Sequence, residues 1–399
     1  MRALVFEPNH GGHRLTYAGA LARALVAFGV ACELVLDGAA RGTAEFHAQV
    51  EPLGSDVRIH EIPPVRAAGV YGSGGGRLAR LLDAARLLRP DYLFVPYADG
   101  LTQLLAFVPG AARYLASQVG ASEALMMRGP SPLQSLPRRW AARRVIAHPP
   151  WSTLHHSDAR LVFEIGTNER LVGVMPEPIA AAEVRDARQA REALGWPPDH
   201  RFVLVAGYLD ERKCVGEIVA AFSSAFAGRA GISLVLAGRM APAIRAEVEP
   251  LLARLDRDGQ LVWLDRYVSD RELTLALHAA DLVCTVYRAH EGPASIANRA
   301  VVAGRYVLAG PGAWFDWTIR RLGLGMTCPS LDPADLRAAL REAIERAAGF
   351  VPGEVSRRFA RFNSLENFEA TWLQRVAHVA GRTPPPVVTW DAIEEAAGG

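Results

Sequence analysis

The sequence predicts an α/β protein of two domains, each a parallel sheet covered by helices. Three observations predict it. The chain has 399 residues, 50% of them hydrophobic and 22% charged, which is enough to bury two separate cores. Short apolar runs alternate with amphipathic helical periodicity from end to end, as in sheets whose strands are joined by crossover helices. The alternation breaks at Pro176-Glu-Pro178 and again at Trp196-Pro-Pro198, which places a linker between about 177 and 200.

In the first half, Arg2-Ala-Leu-Val-Phe6 reads as a buried strand. The loop Glu7-Pro-Asn-His-Gly-Gly-His13 follows, then a helix over 15–28 with Leu21, Leu25 and Phe28 on one face. Further strands are expected at 31–36 and 91–96, with a glycine-rich loop at 69–76 ahead of a helix over 77–88. In the second half, strands are expected at 202–206, 232–237, 261–264, 282–287 and 305–309. Helices are expected near 215–227, 241–255, 270–280, 295–303 and 333–347. One more amphipathic helix is expected over 357–378, and the tail from Thr383 onward reads as loosely held. The division is thus 1–177, 178–356, a helix crossing back over 357–380, and a tail over 381–399. A cleft between two such domains is the default place for a ligand.

Composition narrows the function classes. The net charge is +2, so no nucleic-acid partner is expected. Cys32, Cys214, Cys284 and Cys328 are far apart and form no CxxC pair; they read as core residues of a reducing compartment, without disulfide or zinc. His148, His155 and His156 lack a nearby third ligand, so no metal is expected. There is no signal-peptide pattern and no apolar run of membrane-spanning length, which points to the cytoplasm.

Lys213 is the only lysine in the chain, although Lys and Arg together number 44. A chain this rich in arginine keeps its one lysine in Gly207-Tyr-Leu-Asp-Glu-Arg-Lys-Cys-Val215, between an apolar strand and a helix. An ammonium is a compact point charge and a guanidinium a planar fork, so the two do not exchange freely at a tight phosphate site. Strand-to-helix loops are where open α/β sheets bind ligands. The second notable segment is His290-Glu-Gly-Pro-Ala-Ser-Ile-Ala-Asn-Arg-Ala300, which follows a strand and opens a helix near Ser295. The unpaired amides of Ser295 and Ile296 suit a phosphate, and the Glu291 carboxylate suits sugar hydroxyls. Together they describe a site for a diphosphate joined to a sugar.

With these residues the second half resembles the donor domain of retaining GT-B glycosyltransferases of family 4. The matching pieces, in order, are G-Y-L-D-E-R-K-C-V, I-S-L-V-L-A-G, L-V-W-L-D-R-Y-V-S-D-R-E-L, A-D-L-V-C-T-V-Y, E-G-P-A-S-I-A-N-R-A-V-V-A-G-R-Y-V-L-A-G and L-D-P-A-D-L. In the first half, Gly11-Gly12-His13 resembles the loop that approaches the donor phosphates. The resemblance implies a GT-B fold, with two Rossmann-like domains whose parallel sheets face a central cleft. It also implies transfer of a sugar, with retention, from a nucleotide-diphosphate donor to a carbohydrate or lipid-linked acceptor, without metal or cofactor. Lys213 would stabilise the departing diphosphate with Gly11, Gly12, His13, Ser295 and Ile296, while Glu291 would orient the sugar. Tyr267 falls on the donor side, and Asp99 is a candidate assistant in proton transfer.

Three positions depart from the family pattern. Tyr208 stands where an arginine is usual, with Arg212 the candidate to supply that charge. Arg299 replaces a second glutamate, reversing the charge, and suits an additional phosphate or carboxylate on the donor. Tyr97 and Asp99 stand where a histidine is usual. These departures keep open a non-catalytic GT-B protein that binds a glycan or scaffolds a biosynthetic complex. A Rossmann oxidoreductase is disfavoured, because the first loop lacks GxGxxG. Finally, Arg138, Arg139, Trp140, Arg143 and Arg144 form a basic, aromatic cluster. It is either a solvated helix face or a contact for anionic lipid at a membrane surface or for a charged acceptor.

Overall fold

The computed structural model describes residues 1–10, 14–62, 69–129, 135–181 and 186–398, with the backbone alone at 69–74 and 109. The chain divides into two compact units. One comprises Met1–Ala180 with Ser364–Trp390, the other Ala181–Asn363 with Asp391–Gly399.

In the first unit, β1 (Arg2–Glu7), β2 (Ala31–Asp37), β3 (Val57–Ile62), β4 (Tyr92–Val95), β5 (Ala121–Met126), β6 (Thr153–His156) and β7 (Leu171–Val174) form one parallel sheet. Its strand order is β3-β2-β1-β4-β5-β6-β7. Alternate residues of each strand supply the two faces. From β1, Ala3 and Val5 meet α1 (Arg14–Ala27) and α2 (Ala44–Gln49). On the other face, Leu4 and Phe6 meet α3 (Gly69–Leu88), α4 (Asp99–Phe107), α5 (Pro109–Gln118) and α6 (Leu136–Ala147). A short helix, α7 (Ala159–Ile165), joins β6 to β7. The expected glycine-rich loop at 69–76 is instead the first part of α3. Leu78, Leu81, Ala84 and Ala85 anchor the rest of that helix in the core, which offsets the poor helix propensity of its glycines.

The second unit opens with α8 (Ala187–Leu194), inside the stretch expected to be linker. Asp186 caps it, and Arg191 ties it down through the carbonyls of Ala279 and Pro198 and the carboxylate of Asp281. The parallel sheet contains β8 (Arg201–Ala206), β9 (Ile232–Ala237), β10 (Leu261–Leu264), β11 (Leu282–Thr285), β12 (Tyr306–Ala309) and β13 (Gly325–Thr327), in the order β10-β9-β8-β11-β12-β13. One face packs on α9 (Val215–Phe226), α10 (Pro242–Arg257) and α14 (Pro333–Ala348). The other elements are α11 (Asp270–Ala279), α12 (Ser295–Val302), the single turn α13 (Ala313–Phe315) and α15 (Glu354–Phe362).

The single helix expected over 357–378 is two. α15 stops at Asn363, and the Ser364 hydroxyl caps α16 (Leu365–Val379) by accepting from the Asn367 amide. Phe368, Trp372, Leu373 and Val376 of α16 complete the core on the α1 face of the first unit. The tail is held rather than loose. Asn367 exchanges two hydrogen bonds with Val388, and Trp390 and Ile393 are buried. The last helix, α17 (Asp391–Gly398), belongs to the second unit, where Arg321 forks onto Glu394 and Arg358 donates to the Ala392 carbonyl.

Candidate functional site

In the second sheet the chain runs outward from β8 through β9 to β10, then returns to β11 and runs outward the other way. The neighbouring strands β8 and β11 therefore lead to connections on opposite sides, and the crevice beyond their carboxyl ends is where such sheets bind ligands. Both segments singled out in the sequence lie there.

The chain leaves β8 through Gly207, whose φ of +96° is open to glycine alone without strain. Asp210 then caps a single turn, Glu211–Lys213, by accepting from the Lys213 amide. This turn folds Lys213 back over the strand it has just left. Its side chain is buried, with the residue only 5% exposed, and its ammonium donates to the carbonyl of Ala206 at the end of β8. A Cβ on Gly207 would stand 2.6 Å from that nitrogen, so the cation's seat requires the glycine. The ammonium lies 5.3 Å from the centroid of the Tyr287 ring. Burial, with the nearby Arg212 charge, pulls the lysine pKa from 10.5 down to about 8, against the opposing pull of Asp210. An ammonium has three donors, and Ala206 is the only hydrogen-bond acceptor for this one among the described residues.

The loop after β11 meets this turn directly. The Arg288 amide donates to the Arg212 carbonyl at 2.7 Å, and the Arg212 guanidinium lies 5.3 Å from the Tyr287 ring centroid. Tyr287 also makes an edge contact with His290, at 5.1 Å between centroids, and His290 packs on Phe315 at 5.6 Å. Burial lowers the His290 pKa to about 4, with Arg212 and Lys213 adding to the effect. The imidazole is therefore neutral near pH 7, and the positive charge here belongs to the lysine and arginine. Ala289 takes a φ of +48°, an uncommon and strained conformation for a residue with a Cβ. Glu291 follows, half-buried.

α12 begins at Ser295 without a side-chain cap, since Ala294 occupies the capping position. The Ser295 hydroxyl is buried and has no hydrogen-bond partner among the described residues, and Ile296 is buried beside it. One turn on, Arg299 donates to Asp270 at 3.0 Å, while its Nε is buried and unbonded among the described residues. The charge reversal at Arg299 is thus matched within the unit by a carboxylate on α11. Tyr267, in the loop before α11, is exposed, and its carbonyl accepts from Arg266. Tyr208 is also exposed. The structure brings Lys213 and Arg212 into one cluster with Tyr287 and His290; Tyr267 precedes α11, and Arg299 lies on α12. Neither Tyr287 nor the His290 ring is assigned a role from sequence alone. Their positions, at and just beyond the end of a central strand, were the available signal.

In the first unit, Gly11, Gly12 and His13 lie outside the described residues. Asp99 opens α4 just beyond β4. Its Oδ1 accepts from the amides of Met127 and Arg128, both at 2.9 Å, and Oδ2 is buried without a hydrogen bond among the described residues. Burial raises its pKa against those two amides. Beside it the Arg14 guanidinium lies 3.6 Å from the Tyr97 ring centroid and donates to Glu7. Glu7 ends β1, is fully buried, and has its pKa raised to about 7 by burial. Glu7 was not singled out from sequence, although a carboxylate closing an apolar strand was visible. His155 is paired with Glu123 rather than exposed to a metal. Among the described residues no group of three or more His, Cys, Asp or Glu could hold an ion.

No family model matches the chain, and no curated protein matches it in sequence. Solved structures do match. HepE of Anabaena, in complex with UDP and glucose, has a TM-score of 0.63 at 14% identity, covering 96% of this chain and 99% of that one. Sucrose-phosphate synthase of Thermosynechococcus elongatus gives 0.69 at 14% identity, with 96% and 100% covered. A glycosyltransferase of Rickettsia africae gives 0.67 at 11%, with 96% and 99% covered. At these identities the likeness is one of fold, and the fold is GT-B, as the sequence motifs implied.

Proposed function

We propose that the protein is a nucleotide-sugar-dependent glycosyltransferase that acts with retention and stabilises its leaving group with protein cations rather than a metal. The observation that carries this reading is the buried Lys213 ammonium at the switch point of the second sheet, with one acceptor among the described residues for its three donors. As the bond from sugar to diphosphate breaks, negative charge grows on the departing phosphate. A preorganised cation in a site of low dielectric stabilises that charge more than it stabilises the substrate. Arg212 adds charge from the same turn, and the uncapped start of α12 offers amides and the Ser295 hydroxyl. Glu291 accepts from sugar hydroxyls. The acceptor proton passes to the leaving phosphate oxygen. The complexes of HepE with UDP and with UDP-glucose support a donor of this class.

A second reading, binding without turnover, is favoured by Arg299, which is already engaged by Asp270. Incubation with a mixture of radiolabelled nucleotide sugars separates the two. A glycosyltransferase slowly hydrolyses at least one donor even without its acceptor. A pure binding protein is stabilised thermally by a donor but releases no sugar.

A further inference from the structure

The 51 residues from Gly100 to Pro150 contain six arginines and one acid, Glu123. Glu123 is 1% exposed and engaged by Tyr92 and His155 in the core. The helical layer formed by α4, α5 and α6 therefore presents no acidic side chain from this segment, in a chain whose net charge is only +2. The same layer carries large apolar side chains in water: Phe107 is 70% exposed, Leu136 76% and Trp140 65%, with Val108 and Tyr114 also exposed. On α6, Ile146 is the buried anchor, while Leu136, Trp140 and Arg144 follow one another at intervals of four on an exposed stripe. The Arg144 guanidinium lies 5.6 Å from the Trp140 ring centroid. Arg143 is taken up by Glu164. Arg113, Arg138 and Arg139 have no ion-pair partner among the described residues.

We propose that this face docks on an anionic lipid bilayer. Guanidinium groups on the same helical layer as exposed Trp, Leu and Phe fit the headgroup boundary, where the apolar side chains enter the acyl region and the arginines meet lipid phosphates. A polyanion in solution would engage the arginines but would leave Leu136, Phe107 and Val108 in water. No helix among the described residues is long and apolar enough to cross a membrane, so the contact is peripheral. This inference rests on the first unit's surface and is independent of the proposed transferase activity.

The test is co-sedimentation of the full chain with phosphatidylcholine vesicles, with and without phosphatidylglycerol. The protein should bind only the anionic vesicles, and should be released as the screening length falls from about 10 Å at 0.1 M salt to about 3 Å at 1 M. Replacing Arg138, Arg139 and Arg144 together by Gln should weaken binding roughly a hundredfold, about fivefold per arginine near the surface. The matching triple replacement by Lys should keep most of it. Trp140 is the only strongly exposed tryptophan among the described residues, so bound vesicles should shield the protein's fluorescence from acrylamide, and Trp140→Ala should remove that change. Melting curves of each variant check that the fold is kept. Absence of binding, equal binding to neutral vesicles, binding indifferent to the Gln triple, or equal affinity for heparin would each overturn the proposal.

Discussion

Replacing Lys213 by Met separates what this side chain does for the site from what it does to the fold. Methionine matches the length of the lysine stem and removes the charge. A fall in pKa from 10.5 to about 8 corresponds to about 3 kcal/mol by which the folded protein disfavours the charged amine. Below pH 8 the lysine is charged in both folded and unfolded chains, so the whole penalty bears on stability. Between about 8 and 10.5 the unfolded chain holds the proton and the folded chain does not, so wild-type stability rises with pH across that window. Above it the penalty is gone. Against the gain, the substitution leaves the Ala206 carbonyl without its donor, at about 1–2 kcal/mol. Net, Lys213→Met should be more stable than wild type by about 1–2 kcal/mol at pH 7, or several degrees in Tm for a unit of this size. At the top of the window it should be the less stable protein. Thermal melts of both proteins from pH 7 upward give the answer, because their difference at each pH isolates one group. A variant less stable by the same margin at every pH would refute the buried-charge reasoning. In the same variant, nucleotide-sugar turnover should be abolished.

Three further outcomes follow from the same geometry. Gly207→Ala should lower stability by about 1–2 kcal/mol through its positive φ and should weaken nucleotide binding by displacing the ammonium; calorimetric titration with UDP reads the second effect. Glu7→Gln should stabilise the protein progressively as pH rises from 4.5 through 7, because only the folded carboxyl is protonated in that window; a flat difference in melting temperature would contradict the buried acid. Arg299→Glu should repel Asp270 and shift donor preference towards ordinary nucleotide sugars, whereas an unchanged donor profile would remove Arg299 from the site.

Strands β8 to β12 of the second unit and the long helices between them were legible, because each is a buried run or an amphipathic stretch bounded by turn residues, whereas α8 read as linker and the short β13 and α13 were not anticipated. Lys213 was legible for a different reason: in an arginine-rich chain, a lone lysine after a central strand is a choice between two cations of different shape. What could not be read was pairing across sequence distance. Asp270, 29 residues from Arg299, converts an apparently free cation into a paired one, and no local pattern announces it. The break at Asn363 and Ser364 was also hidden, since apolar periodicity continues through it and only the Ser364 cap marks the new start. The tail misled for a similar reason: three consecutive prolines read as unstructured, while Trp390 and Ile393 beyond them are core residues.

Because the chain has one lysine, protein grown with lysine labelled by nitrogen-15 at Nζ yields a single ammonium resonance, and its pH titration with and without UDP tests the site most directly. The account predicts a pKa near 8 in the free protein and a marked rise when the diphosphate binds. An ordinary value near 10.5 that does not respond to the nucleotide would contradict it.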